Sequence, residues 1–469
     1  MVAYATLIML IAIFAFRFGS RALSPRPKRL GKYCGEFYPL WIIFLMTISI
    51  VFTFVASRFG DTSIYNTRYI IYDQAIEFLW PTIGIILIYV IAYWISYTGI
   101  SFYSPRKIVR QAKNVEIKNN RVLGWTLLFL VLVSSAFALI LAFNNVSIHS
   151  EEALNFGGSF NSVISIIAKF YIKAPALAVA LIFVPRFKDS KVRKLGILIL
   201  FICILVGMLI GLKTVVKEGL VFPGIYLIVG AFCCGLKVPK RVYLVVIFGA
   251  LGGLFLIQGA RLKAGRALVD NTLTDTVEMS LDFNSDPKAL TGYGLYITTR
   301  ANLYLPLAQS VRSVQEGNEM SGESWINPIL FCVPSFIYKS KPAPFDQNEF
   351  GKLIGASDNN QYLTVVRPTH VGEPMITFGI FGVIITAVVT GLLIGMLENL
   401  SVLLSEVSIG FSRMSIAAIW SSFIDCEGPL SYSLGGMCKL IVIFAFLLCV
   451  VRIFGAAPNT RSKRLIGAL

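Results

Sequence analysis

The chain has 469 residues, of which 56% are hydrophobic and only 14% charged, and its mean hydropathy is +0.73. Soluble domains carry roughly a quarter charged residues, so an ordinary water-soluble globule is excluded. The formal charge of +17, from 42 Lys and Arg against 25 Asp and Glu, would point to nucleic acid in a soluble protein, but its distribution along this chain gives it another origin.

Apolar runs of the roughly 20 residues that cross a bilayer as helix predict an all-α polytopic membrane protein. A β-barrel would instead show short alternating segments. The runs lie near 2–16, 38–56, 74–97, 122–143, 160–184, 195–212, 219–236, 242–260, 374–397, 410–424 and 434–455. They divide the chain into an N-terminal bundle of about eight helices over 1–260, one large loop over 261–370, and the C-terminal helices of 371–469. The first run is read as a retained span: Arg17 follows it, with no small-residue cleavage pattern.

With the N-terminus outside, the basic residues collect in the loops expected in the cytoplasm. These carry the cluster from Arg17 to Lys32, the cluster from Arg106 to Arg121, and Arg186, Lys188, Lys191, Arg193 and Lys194. Further along come Lys237, Lys240, Arg241, Arg413 and a tail from Arg452 to Arg464. The positive-inside rule requires this bias. It accounts for most of the net charge and leaves the other side slightly acidic.

Most cysteines fall in or beside apolar spans, where they act as small buried hydrophobes. Cys332 and Cys426 fall outside them, a pair that an oxidising compartment would allow to bridge. No Cys or His spacing suits a metal, and no phosphate-loop or dinucleotide fingerprint is present. The reading calls for no cofactor and no metal.

The connection from 261 to 370 is far longer than the others. Such loops are usually functional. It holds an acidic stretch, a helical candidate near 290–312, an apolar segment at 325–338 too short to span, and a turn-rich run beginning at Lys339. A folded cap over the bundle is expected. At its start QGARLKAGRAL gathers Arg261, Lys263 and Arg266, and the sixth span ends in GLKTVVKEGL, with Lys213 and Lys217 four apart on one helical face. Cations at the outer boundary run against the positive-inside rule. Snorkelling to lipid phosphate explains any one of them, whereas a cluster from two helices plus Arg300 suits a phosphate or pyrophosphate pocket.

In the fifth span Lys169 and Lys173 sit four apart in KFYIKAP. Intramembrane lysines suggest function, with a salt bridge to a neighbouring helix as the structural account. At the far end of the loop, TVVRPTHVGEPMITFGIFG places Arg367, His370 and Glu373 at the expected mouth of the ninth span. His and Glu three apart share a helical face, and both are readily tuned for general-base work. A hydrogen-bonded structural histidine is the plain alternative.

Four segments together resemble the O-antigen polymerase (Wzy-type) family, nearest to the enterobacterial common antigen polymerases. They are Gly-Leu-Lys at 211–213, where relatives tend to show Gly-x-Arg; Arg300 in YITTRANLYLP; PSFIYKSKPAPF at 334–345; and PTHVGEPMITFGIFG at 368–382. The resemblance covers roughly 200–385 and surrounds the family's large periplasmic loop. Lys213 and Lys341 stand where an Arg occurs in relatives, which keeps the charge and loses bidentate geometry.

The resemblance implies a GT-C-like membrane glycosyltransferase. It would join undecaprenyl-pyrophosphate-linked repeat units at the periplasmic face of a bacterial inner membrane, in O-antigen or other surface polysaccharide biosynthesis. Its partners would be the lipid-linked glycan donor and acceptor, membrane lipids and a chain-length regulator, with no nucleic acid. Lys213, Lys217, Arg261, Arg266, Lys341 and Arg367 would bind pyrophosphate, and His370, Glu373 and Arg300 would be catalytic. An O-antigen ligase is the nearest rival, and a lipid-linked oligosaccharide flippase or transporter the rival from another class.

Overall fold

A computed structural model describes residues 34–59, 76–101, 113–143, 161–182, 190–214, 224–228, 230–231, 303–325, 347–354, 367–404, 409–423, 426 and 428–454. Among them every regular element is helical. The helices are α1 (Cys34–Phe59), α2 (Leu79–Ser101), α3 (Lys113–Phe143), α4 (Asn161–Ile182), α5 (Ser190–Thr214), α6 (Tyr304–Gln315), α7 (Gln347–Leu353), α8 (Thr369–Leu403), α9 (Ile409–Phe423) and α10 (Leu430–Phe454), with a 3-10 turn at Gly322–Trp325. The runs expected near 2–16 and 242–260 lie outside the described residues, as does most of 219–236.

Five of these helices are long and apolar enough to cross a membrane, within Leu79–Ile100, Asn119–Phe143, Lys191–Gly211, Thr369–Ser401 and Leu430–Phe454; Tyr38–Val51 and Phe170–Ile182 are shorter apolar helices. The protein is therefore an all-α membrane protein. Its helices expose large apolar side chains such as Trp125, Phe129, Phe201 and Ile385. In a bilayer such faces meet lipid rather than water, so outward apolar residues carry no cost.

The core is one continuous apolar cluster. α3, α4 and α5 pack together; α9 and α10 pack on this trio; and α2 lies along α8. Small residues set the closest approaches, as is usual between membrane helices. A Cβ on Gly391 of α8 would overlap Ser96 Oγ and lie 2.7 Å from the Tyr93 carbonyl oxygen of α2, so glycine lets these two backbones touch.

Of the large loop, α6 (Tyr304–Gln315) overlaps the end of the stretch expected to be helical near 290–312 and runs past it. It lies against the bundle, with Tyr304, Leu307, Ala308 and Val311 buried and contacts to α8, α1 and α2. Ser49 of α1 accepts the Leu303 amide at 2.9 Å, which supplies the helix entry with a partner that its own sequence lacks. The apolar segment at 325–338 lies outside the described residues except for Trp325. The Trp325 indole donates to Thr377 Oγ1 at 3.2 Å.

Candidate functional site

α8 is where the structure departs most from the sequence reading. The ninth apolar run lies near 374–397, with PTHVGEP just before it. The helix begins at Thr369 instead, because Thr369 Oγ1 accepts the Gly372 amide at 3.0 Å and caps an earlier turn. Thr369 holds φ at 70°, and Gly379 takes φ 60° with ψ −152° inside the helix. The second pair of angles is open essentially to glycine alone. Gly379 divides α8 into a short helix, 369–378, and a long one, 380–403.

The short helix folds back along the long one. His370 lies beside Tyr38 and Glu398 beside Gly35, and Tyr38 and Gly35 are within one turn of each other on α1. In a straight α8, His370 and Glu398 would be about 40 Å apart. Only reversal at Gly379 brings both ends of α8 to the same turn of α1. Irregular backbone inside a membrane bundle occurs where protein surrounds it or where it lines a cavity, and here parts of the large loop surround it. Met320 donates its amide to Ile376 O at 3.0 Å, Trp325 lies against Phe378, and Met320, Phe350, Ile354 and Ile376 form a separate apolar cluster.

On this short helix His370 and Glu373 are 1% and 0% exposed, so both stand inside the bundle rather than at an open mouth. The two face the start of α10. Glu373 Oε2 accepts the Ser431 amide at 2.9 Å, a carboxylate placed on a helix N-terminus, where backbone amides and the helix dipole favour negative charge. Its second oxygen, Oε1, has no hydrogen-bond partner among the described residues, and the buried Ser431 hydroxyl is likewise unpartnered there. His370 Nε2 pairs with Ser433 Oγ at 2.8 Å and Nδ1 with the Tyr38 hydroxyl at 2.8 Å. The Tyr38 hydroxyl meets that of Tyr89 at 3.1 Å, and Phe423 closes edge-on over both Tyr38 and His370. The His370 amide donates to Cys426 O at 3.2 Å. Cys426 is itself a buried free thiol donating to Phe423 O at 3.3 Å, and Cys332, the partner an oxidising compartment would allow it, lies outside the described residues.

A third group reaches the same stretch of α10. Lys173 Nζ donates to Ser422 Oγ at 3.3 Å, and a Cβ on Gly436 would lie 3.6 Å from that ammonium. Ser431, Ser433 and Gly436 thus bring a carboxylate, an imidazole and an ammonium within two turns of one helix. KFYIKAP and PTHVGEP, far apart in the chain, meet there.

A second carboxylate of α8 plays a different part. Glu398, 4% exposed, accepts the Gly35 amide at 2.7 Å on Oε1 and the Tyr97 hydroxyl at 2.6 Å on Oε2. Tyr93 donates to Gly35 O at 2.9 Å, and its ring stacks on that of Tyr97 with centroids 5.9 Å apart. Tyr89, Tyr93 and Tyr97 recur every fourth residue of α2 and form a buried ladder between α1 and α8. In the sequence Glu398 counts merely as an acid flanking a cytoplasmic loop, and the three tyrosines of α2 have no assigned role. Their spacing of four was the one available signal.

Of the other expected site residues, Arg367 precedes the short helix and is half-buried. Lys213 falls in the last turn of α5, with its side chain outside the described residues. Lys217, Arg261, Arg266, Arg300 and Lys341 lie outside the described residues altogether, as does the side chain of Lys169. Arg413, expected in a cytoplasmic flank, is buried in α9. Among the described residues no group of His, Cys, Asp and Glu could hold a metal.

Comparison with protein-family models, with curated proteins and with solved structures gives no match.

Proposed function

We propose that this chain is a membrane glycosyltransferase of the polysaccharide-polymerase kind. It has eleven spans in a GT-C-like arrangement and joins undecaprenyl-pyrophosphate-linked repeat units at the periplasmic face of the inner membrane. The observation that carries the reading is Glu373, a fully buried carboxylate in an apolar bundle with one oxygen on a helix N-terminus and the other without a partner among the described residues. A buried acceptor left unsatisfied is costly, by about 1–3 kcal/mol, and such groups persist where function uses them.

In this mechanism Glu373 Oε1 takes the proton of the acceptor sugar hydroxyl. That oxygen attacks the anomeric carbon of the donor, and the carbon–oxygen bond to pyrophosphate breaks with its electron pair leaving on the phosphate. Lys213, Lys217, Arg261, Arg266, Arg300, Lys341 and Arg367 are the cations that would stabilise this charge as it develops. Sequence left the base open between His370 and Glu373. Both ring nitrogens of His370 are engaged by hydroxyls, whereas Glu373 keeps an unused oxygen, which favours Glu373 as base and His370 as a positioning residue.

The test is elongation in vitro. Purified protein given lipid-linked repeat units in detergent should produce a ladder of longer lipid-linked glycans, and Glu373→Gln should abolish it; a ladder of normal length from that variant would overturn the reading. A second reading, transport of a lipid-linked glycan, draws on the broken helix, since discontinuous helices mark many transporter sites. Elongation in detergent, with no second compartment, separates the two.

A further inference from the structure

We propose that Lys173 is a phosphate-binding residue, whose ammonium faces an opening between α4 and α10 and takes a phosphate oxygen of the lipid-linked donor. From Phe170 to Leu181 every residue of α4 is buried except Lys173, which is part-exposed. A stretch of this length covers all sides of a helix, and the next residues along the face of Lys173, Ala176 and Leu177, are 0% and 1% exposed. The exposed surface of Lys173 is therefore not a lipid face but an opening within the bundle.

Gly436 of α10 borders the same opening. It too is part-exposed, and a Cβ there would meet one atom of the described residues within 4 Å, the Lys173 ammonium at 3.6 Å. Glycines at the helix contacts are different. A Cβ on Gly196 would lie 3.1 Å from Ala178 O, and one on Gly391 2.7 Å from Tyr93 O. Packing forces a glycine at those positions and not at Gly436. Three residues earlier on α10, and so on the same face, Ser433 pairs with His370. The opening thus adjoins the imidazole and carboxylate of the short helix.

The charges around it are arranged for use on a substrate. Ser422 Oγ accepts from the ammonium at 3.3 Å, and a neutral hydroxyl aims a cation without neutralising it. Lys173 and Glu373 do not pair: among the described residues the carboxylate meets the Ser431 amide on one oxygen and no partner on the other. Ser431 and Gly436, which mark the two groups on α10, are separated by about 7.5 Å of helix rise. In the transfer, the base acts where the acceptor hydroxyl attacks, and the cation where the carbon–oxygen bond breaks and its electron pair goes to phosphate. Lysine serves such an oxygen as a point charge on a flexible stem and needs no fixed fork geometry. The part in turnover rests on the catalytic reading above; phosphate binding does not.

Full-length protein in detergent is titrated with undecaprenyl pyrophosphate, and the rise in melting temperature reports binding. Lys173→Met should weaken binding about tenfold or more, the scale of a lost charge-assisted hydrogen bond, and Lys173→Arg should retain most of it. Gly436→Asp, which sets a carboxylate against the ammonium, should weaken it as much, and decides the matter should Lys173→Met fail to fold. Undecaprenol, with the tail and no phosphate, should not distinguish these proteins. Unchanged affinity for undecaprenyl pyrophosphate in the Met and Asp variants, or an equal loss for undecaprenol, overturns the assignment. A wild type that binds through Lys173 without elongating glycan leaves the assignment standing and removes the catalytic reading. Elongation by Lys173→Met with an unchanged donor KM does the reverse.

Discussion

Glu373 and Glu398 stand on one helix and make the same contact at opposite ends of it: each accepts the amide of the second residue of another helix, Ser431 of α10 and Gly35 of α1. The difference lies in the second oxygen. Glu398 gives it to Tyr97, and that of Glu373 meets no partner among the described residues. One carboxylate thereby holds three helices together, while the other keeps an oxygen that no described residue engages.

Glu398→Gln should therefore act on stability. It replaces a charge-assisted pair of bonds with weaker ones and turns one acceptor into a donor facing donors. We expect a loss of about 1–3 kcal/mol, measured as a lower melting temperature in detergent, with elongation per folded molecule retained. Tyr97→Phe should cost less, since the Gly35 amide keeps its acceptor.

Glu373→Gln should act on turnover. Elongation should fall by about 100-fold or more, the scale of a lost general base, with the protein still inserted. His370→Ala should be less damaging than Glu373→Gln when both are scored by glycan ladder length in a strain lacking the natural polymerase. The reverse order would move the base to the histidine. In the same strain a ligase would be betrayed by complete loss of attached O-antigen, whereas loss of a polymerase leaves a single attached repeat.

Gly379→Ala tests the reversal of α8. The φ of 60° and ψ of −152° exclude a β-carbon without strain of about 1–3 kcal/mol. The expected result is reduced accumulation in the membrane and a lower melting temperature. Gly382→Ala makes a second probe of the same turn, since its β-carbon would lie 2.5 Å from Phe378 Cβ and 2.6 Å from Pro374 O.

Gly35→Ala addresses the cap under Glu398. A β-carbon there would run into the Tyr97 ring, and overpacking of this kind costs about 1–3 kcal/mol. Tyr97→Ala in the same protein should restore part of the loss by opening the space, a coupling that a double-mutant cycle reads directly.

Arg261→Ala and Arg300→Ala should each abolish chain growth while leaving the protein in the membrane, as judged by blotting membrane fractions. A single cysteine placed near residue 280 should react with an impermeant reagent added from outside the inner membrane.

The sequence by itself determined the class of protein and the neighbourhood of its chemistry. Hydropathy is additive along the chain, so apolar runs near 74–97, 122–143, 195–212 and 434–455 could be placed without knowing what they touch, and PTHVGEP could be singled out because His and Glu are rare in such runs. The tertiary structure alone decided what those residues do. Fold-back at Gly379 depends on one pair of backbone angles, and no periodicity records it; a run of apolar residues reads the same whether the helix is straight or reversed. The engagement of His370 by Tyr38, 332 positions away, and by Ser433, 63 away, and the arrival of Lys173 at Gly436 join residues far apart in the chain. Hydrogen bonds are satisfied in space and not along the chain, so the buried tyrosines of α2 read as bulk until the helices that face them were known.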